Sequence, residues 1–125
     1  MNLPEELRYT KDHEWVRIDG SIARIGITDY AQDALGDVVF VQVPDVGTAV
    51  AAGDTVSEVE STKSVSEIYA PLAGTVVAVN ADLADAPQRL NEDPYGEGWI
   101  CDIEVGDADL DGLLDAPGYQ ALVED

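Results

Sequence analysis

The sequence predicts a mainly β domain trimmed with short helices. Three observations predict it. An Asp-Gly pair at 19–20 separates two β-patterned runs, and the stretch 99–105 alternates apolar and acidic from Cys101 on. Residues 53–80 read as strand, short turn, strand around Lys63. A chain of 125 residues with 46% hydrophobic content suits one core. No linker or low-complexity tract divides residues 1–125, so one domain is expected across them.

Each element has its own local reason. Trp15 to Ile18, the Asp19-Gly20 pair and Ser21 to Ile27 predict a hairpin, with Asp-Gly supplying the positive φ of a type I′ turn. Thr28 or Asp29 caps a short helix through Leu35, and Gly36 stands at its end. Val38 to Val43 is a continuous apolar strand stopped by Pro44. Val56 and Val59 belong to a strand following the Gly53-Asp54 turn. Val65, Ile68 and Tyr69 form a second strand that ends before Pro71. Gly74 then turns into the Val-rich stretch from Thr75 to Val79.

A faint echo links 52–56 (AGDTV) with 73–76 (AGTV), which suits two similar half-sheets flanking the lysine turn. After Asn80 the chain is irregular, with Pro87 and Pro94. Trp99, Cys101, Ile103 and Val105 then share one face of a strand, with Asp102 and Glu104 on the other. Asp109 to Val123 reads as one or two short helices separated at Pro117-Gly118.

Charge narrows the function classes. Twenty-six acidic residues against six basic ones give a net charge of −20. Nucleic acid needs a basic footprint, and an anionic membrane surface repels such a chain, so neither is an expected partner. An acidic surface keeps a concentrated protein in solution, steers it onto basic partners, or reflects a salty habitat, and composition leaves these three open. No apolar run approaches the ~20 residues that cross a bilayer. Residues 1–12 lack the charged-then-apolar design of a signal peptide. One cysteine cannot form an internal disulfide, which fits a reducing compartment; a cytoplasmic location is expected.

Catalytic signatures are missing. Cys101 sits on the apolar face of its strand and reads as core. One His, one Cys and no G-x-S-x-G elbow make no hydrolytic triad, and no glycine-rich phosphate loop occurs. Asp107, Asp109, Asp111 and Gly112 fit positions 1, 3, 5 and 6 of an EF-hand loop. Position 12 is Gly118 rather than Glu, and a strand rather than a helix precedes the run, so acidic residues at a helix start explain it.

Lys63 carries the functional signal. The chain has two lysines, Lys11 and Lys63, and Lys63 stands among Ser61, Thr62 and Ser64 at the hairpin turn. Turn tips are exposed, because buried loop backbone lacks hydrogen-bond partners. Pattern alone is also met by an ordinary solvated lysine.

The flanking residues are more specific. Glu60-Ser61-Thr62-Lys63 resembles the lipoyl-lysine hairpin of the glycine cleavage system H protein family. Biotin carrier hairpins flank their lysine with Met, and the only Met here is Met1; lipoyl domains of 2-oxo acid dehydrogenases place Asp where Thr62 stands. Further blocks resemble the same family in order: DHEWV at 12–16, GITDYAQDALGDVVFVQVP at 26–44 and NEDPYGEGWI at 91–100.

The resemblance implies a flattened β-barrel sandwich of the lipoyl/biotinyl carrier type, with lipoate in amide linkage to Lys63. It implies a non-catalytic shuttle that takes methylamine from a pyridoxal-phosphate glycine decarboxylase to a tetrahydrofolate-dependent aminomethyltransferase. A dihydrolipoamide dehydrogenase then reoxidises the dithiol. A lipoate ligase or octanoyltransferase with lipoyl synthase installs the group, and the resemblance implies that Glu60 and Gly74 are read by the modifying enzyme.

The loaded arm folds into a cleft in this family, and the acidic residue of the HEW element lines it. That role falls on Glu14, with Asp12 nearby. Without the resemblance, His13 and Glu14 are a partly exposed His and a surface carboxylate. The family often carries His where Tyr30 and Ala34 stand, so no histidine role is carried over to that helix. Two alternatives stay open: a relay protein donating lipoyl groups to 2-oxo acid dehydrogenases, and an unmodified scaffold.

Overall fold

The computed structural model describes residues 2–106 and 110–124. Nine strands and three α-helices follow in the order β1 Arg8–Tyr9, β2 Glu14–Asp19, β3 Ile22–Ile27, α1 Asp29–Leu35, β4 Val38–Gln42, β5 Ala49–Val50, β6 Thr55–Ser61, β7 Val65–Tyr69, β8 Gly74–Val79, α2 Arg89–Glu92, β9 Cys101–Glu104 and α3 Ala116–Glu124. A 3-10 turn, Ala81–Ala84, precedes α2. The strands form a six-stranded sheet, β1-β2-β3-β9-β8-β5, and a three-stranded sheet, β4-β6-β7. Neighbouring strands pair antiparallel.

The main core lies between the inward faces of the two sheets. Val16, Ile25, Val76 and Ile103 from the large sheet meet Val41, Val59 and Ile68 from the small one. A second cluster, Leu7, Tyr9, Trp15, Tyr95 and Tyr119, fastens the N-terminal strand to α3. There Trp15 buries its ring and donates its indole N–H to the Pro94 carbonyl at 2.8 Å, so its one polar atom is satisfied. The echoing segments at 52–56 and 73–76 open β6 and β8, which belong to different sheets.

Helix α1 forms as its ends predict. Thr28 is its N-cap, with Oγ1 accepting from Ala31 N–H at 3.1 Å. Gly36 ends it at φ +78°, a conformation costly for any residue with a Cβ.

Four local expectations are corrected. The first hairpin turn is Gly20-Ser21 rather than Asp19-Gly20, because Asp19 pairs with Ile22 in the ladder. Of the two turn residues only Gly20 has positive φ, the pattern of a type II′ turn. The apolar run of β4 is not uniformly inward: a bulge between Val38 and Phe40 turns Val39 and Phe40 outward, while Val38 and Val41 stay buried.

Trp99 does not share the Cys101 face, since the strand begins only at Cys101 and Ile100 takes the core position. Trp99 instead packs against the second cluster, with the Arg24 guanidinium 3.9 Å from its ring centroid. Finally, Pro117-Gly118 does not divide the C-terminal stretch. Both residues lie in the first turn of α3, where a missing N–H costs nothing, and Asp115 Oδ1 accepts from Gly118 N–H at 2.8 Å.

Asp107 and Asp109 of the acidic run lie outside the described residues. Among the described residues no helix is long and apolar enough to cross a membrane.

Candidate functional site

Strands β6 and β7 bring Lys63 to an exposed tip. Glu60 pairs with Val65, and Ser61 N–H bonds to the Ser64 carbonyl at 2.8 Å, leaving Thr62 and Lys63 as the tip. Small polar residues suit this place because their side chains replace missing ladder bonds. Ser61 Oγ accepts from the backbone N–H groups of Lys63, at 3.3 Å, and Ser64, at 3.1 Å. Thr62 N–H donates to the Asp37 carbonyl at 3.1 Å, which ties the tip to the junction of α1 and β4. The lysine stem passes over Gly36, where an added Cβ would stand 3.4 Å from Lys63 Cε.

Asn91 holds that junction in turn. Its Oδ1 accepts from Val38 N–H at 2.9 Å, and its Nδ2 donates to the Gly36 carbonyl at 2.8 Å. Asn91 was legible only as part of the NEDPYGEGWI block, and its positioning contribution was not. The Lys63 ammonium itself has no ion-pair or hydrogen-bond partner among the described residues.

A cleft of about 370 Å³ opens beside the tip, lined by Ile27, Leu35, Val65 and Ile68 with Asp12, His13 and Tyr30 at polar positions. Ala31 and Ala34 contribute small side chains that keep it open. His13 adopts φ +71°, a strained conformation for a residue with a Cβ. Its Nδ1 lies 2.7 Å from Tyr119 Oη, which is in turn 2.8 Å from Thr28 Oγ1. Burial lowers the His13 pKa, opposed by the nearby Asp12 charge, which favours the neutral imidazole.

Glu14 is not a surface carboxylate: it is 1% exposed. It floors a second cleft, of about 450 Å³, at the other end of the hairpin, where Ala52, Gly53 and Pro71 lie. Thr10 Oγ1 donates to it at 2.8 Å and Tyr69 N–H at 3.1 Å. Burial outweighs those bonds and pushes its pKa up to about 7. Asp12, which is exposed, borders both clefts. The structure therefore brings Lys63 and Glu60 onto one hairpin and sets Asp12 between the clefts. Gly74 lies apart, in the other sheet, where a Cβ would collide with the Glu104 carbonyl. Cys101 is fully buried, and burial raises its thiol to about 12, which removes it as a nucleophile.

The Glu14 proton has a consequence for stability. The native state holds a proton that the unfolded chain releases near pH 4.5, so stability should fall as pH rises from about 4.5 to 7. Glu14→Gln should lack that loss, and the gap between the two proteins should reach on the order of 3 kcal/mol by pH 8. His13 contributes with the opposite sign but equally in both proteins, so thermal melts compared at pH 5 and pH 8 isolate Glu14. Parallel pH profiles would show that Glu14 stays ionised.

The sequence matches the family described as Glycine cleavage H-protein over residues 7–125. The chain belongs to that family. The "Glycine cleavage system H protein" of Mycolicibacterium smegmatis is 60% identical over 126 residues, covering 97% of this chain and 96% of that protein. The protein of the same name from Anaeromyxobacter sp. (strain K) is 55% identical, covering 100% and 98%. The crystal structure of a glycine cleavage system H protein from Mycobacterium marinum superposes with a TM-score of 0.91 at 41% identity, over 98% of this chain and 100% of that one. The sheets and short helices described above are thus those of a lipoyl-carrier fold in an H-protein chain.

Proposed function

We propose that this chain is the lipoylated shuttle of the glycine cleavage system, a non-catalytic carrier domain spanning residues 1–125, with its lipoyl hairpin, β6–β7, inside the expected segment 53–80 and a cytoplasmic location. The observation that carries this reading is an exposed Lys63, without an ion-pair partner among the described residues, at a braced hairpin tip beside a cleft with one apolar wall, in a chain of this family. The residues fit lipoate: the amine is free to form an amide, and the cleft wall of Ile27, Leu35 and Ile68 suits an apolar chain. For attachment, Lys63 Nζ sheds a proton and attacks an activated acyl group, and the acyl donor leaves. A lipoate ligase or octanoyltransferase, followed by lipoyl synthase, supplies that chemistry.

Lys63 would hold the lipoyl group, which when bound would supply the redox-active disulfide for the aminomethyl chemistry of a pyridoxal-phosphate glycine decarboxylase (with loss of carbon dioxide) and a tetrahydrofolate-dependent aminomethyltransferase (with loss of ammonia), the resulting dithiol being reoxidised by dihydrolipoamide dehydrogenase. The protein's own part is positioning. A tether at the tip keeps the cargo at high effective concentration for each partner. Asp12 and Glu14 are the proposed carboxylates for the cationic amine, and a cation beside Glu14 would draw its pKa back down. Glu60 is a proposed recognition determinant for the modifying enzyme, and Gly74 is proposed to serve acylation indirectly, by letting β8 pack closely on β9 and keeping the domain folded.

Protein acylated with lipoate and given glycine and the decarboxylase should gain the mass of one methylamine, an aminomethyl group on one sulfur and a hydrogen on the other, as carbon dioxide leaves. No gain, together with transfer of lipoyl groups to a 2-oxo acid dehydrogenase domain, would favour the relay alternative instead. After removal of the decarboxylase, Asp12→Asn and Glu14→Ala should lose that mass several-fold faster, through an exposed carboxylate at Asp12 and a buried one at Glu14. Unchanged lifetimes would remove both residues from the site.

A further inference from the structure

We propose that the outward face of the three-stranded sheet, built on the row Phe40–Glu60–Val65, is the surface on which the enzyme that acylates Lys63 docks. This rests on the reading of Lys63 as the acylated residue. The register places these three side chains side by side: Phe40 opposite Glu60, and Glu60 opposite Val65. Strands lie about 4.8 Å apart, so the row spans roughly 10 Å. Phe40 is 47% exposed and Val65 59%, with Val39 at 53% beside them at the bulge.

Single exposed apolar residues are ordinary. These are aligned, and the row begins two residues from the reactive nitrogen. The inward-facing Val41, Val59 and Ile68 of the same three strands are all buried, so the outward set is surplus to the core.

The next outward row is Gln42–Glu58–Glu67. Neither Glu58, Glu60 nor Glu67 forms an ion pair among the described residues; Glu67 accepts only from Tyr69 Oη, at 3.3 Å. Covering this face with an apolar surface alone would desolvate three unpaired carboxylates. The complementary partner therefore carries an apolar shelf bordered by Arg or Lys.

Reach selects which partner. The acylating enzyme must bring its activated acyl group to the lysine nitrogen itself, within one side-chain length of the turn. Its active-site rim then necessarily covers the adjoining sheet face. The enzymes that act on the carried cargo meet it at the end of the attached arm and do not need this contact.

The test is steady-state acylation by a lipoate–protein ligase with octanoate and ATP, read by intact mass, with the carrier protein as varied substrate. Phe40→Ser should raise KM for the carrier about tenfold with kcat unchanged. Glu67→Lys should raise KM several-fold and flatten its dependence on salt. The charge variant sits at an exposed position and keeps the test open if Phe40→Ser folds poorly. Pre-acylated variants should exchange with the glycine decarboxylase as wild type does.

Wild-type protein left unacylated at Lys63 would overturn the modification reading on which this one stands. Normal acylation of wild type with both variants inside twofold of its KM would overturn the docking surface alone. An equal loss in the decarboxylase exchange would also overturn the assignment to the acylating enzyme. So would a concentration-dependent dimer that Phe40→Ser abolishes, by giving the face to a second copy of this chain.

Discussion

Lys63→Arg protein, incubated with a lipoate-attaching enzyme, octanoate and ATP, should stay at its unmodified mass while wild type gains one acyl group. The expected effect is complete loss rather than a slower rate. Arginine keeps the positive charge and length, but its guanidinium does not deprotonate in proteins and offers no free nucleophile. The tip should keep its geometry, because the turn is held by Ser61 Oγ and the Asp37 carbonyl and not by the lysine side chain. Lys11 is also exposed. It lies in the turn between β1 and β2, whose paired stem is only two residues long on the β1 side and which lacks the Glu60-Ser61-Thr62 flank, so it should not substitute. Acylation persisting at Lys11 in the variant would dispose of the assignment. The wild-type product should also migrate as more acidic, since amide formation removes the positive charge of the lysine ammonium.

Gly74→Ala should be the most damaging small substitution near the hairpin. A Cβ there would run into the Glu104 carbonyl and come within 2.7 Å of Ile103 Cγ2. The first obstacle is backbone, which cannot rotate aside as a side chain can. β8 would have to leave β9, loosening the Thr75–Glu104 and Val76–Ile103 pairs and opening the main core at Val76. Overpacking costs typically ~1–3 kcal/mol, and a backbone collision belongs at the upper end. The melting temperature should fall by about 10 °C. Acylation per folded molecule should then remain near wild type. A variant that melts normally but is no longer acylated would show instead that the enzyme touches Gly74 directly.

Features written in short sequence windows were legible. Helix α1 is one, because Thr28 and Gly36 mark its ends by their own chemistry. The Lys63 hairpin is another, because turn residues and Val-rich flanks occur together. What the sequence hid were decisions made by tertiary partners. Glu14 looked like a surface residue because carboxylates usually are. Thr10 and the Tyr69 amide satisfy it in the interior, and neither is adjacent to it along the chain. The run Val38–Val43, apolar but for Gln42, reads as one continuous strand; only the bulge, set by pairing with β6, decides that Val39 and Phe40 face out. Pro117 looked like a helix break, although its place within the first turn of α3 makes it compatible. The cleft beside Lys63 was invisible for the same reason, being assembled from α1, β7 and the segment before β2.

The bracing of the tip bears on how such a hairpin can be used in engineering. Lys63 is located by Thr62 on Asp37, by its own stem lying across Gly36, and by Asn91 gripping Gly36 and Val38. Three separated stretches of chain therefore share the task of setting one nitrogen's place. A graft of residues 53–80 onto another β-scaffold would carry the turn and its serine but leave those footholds behind. The hairpin is a part with an address rather than a portable cassette, and moving it means moving the α1–β4 corner and the Asn91 loop with it.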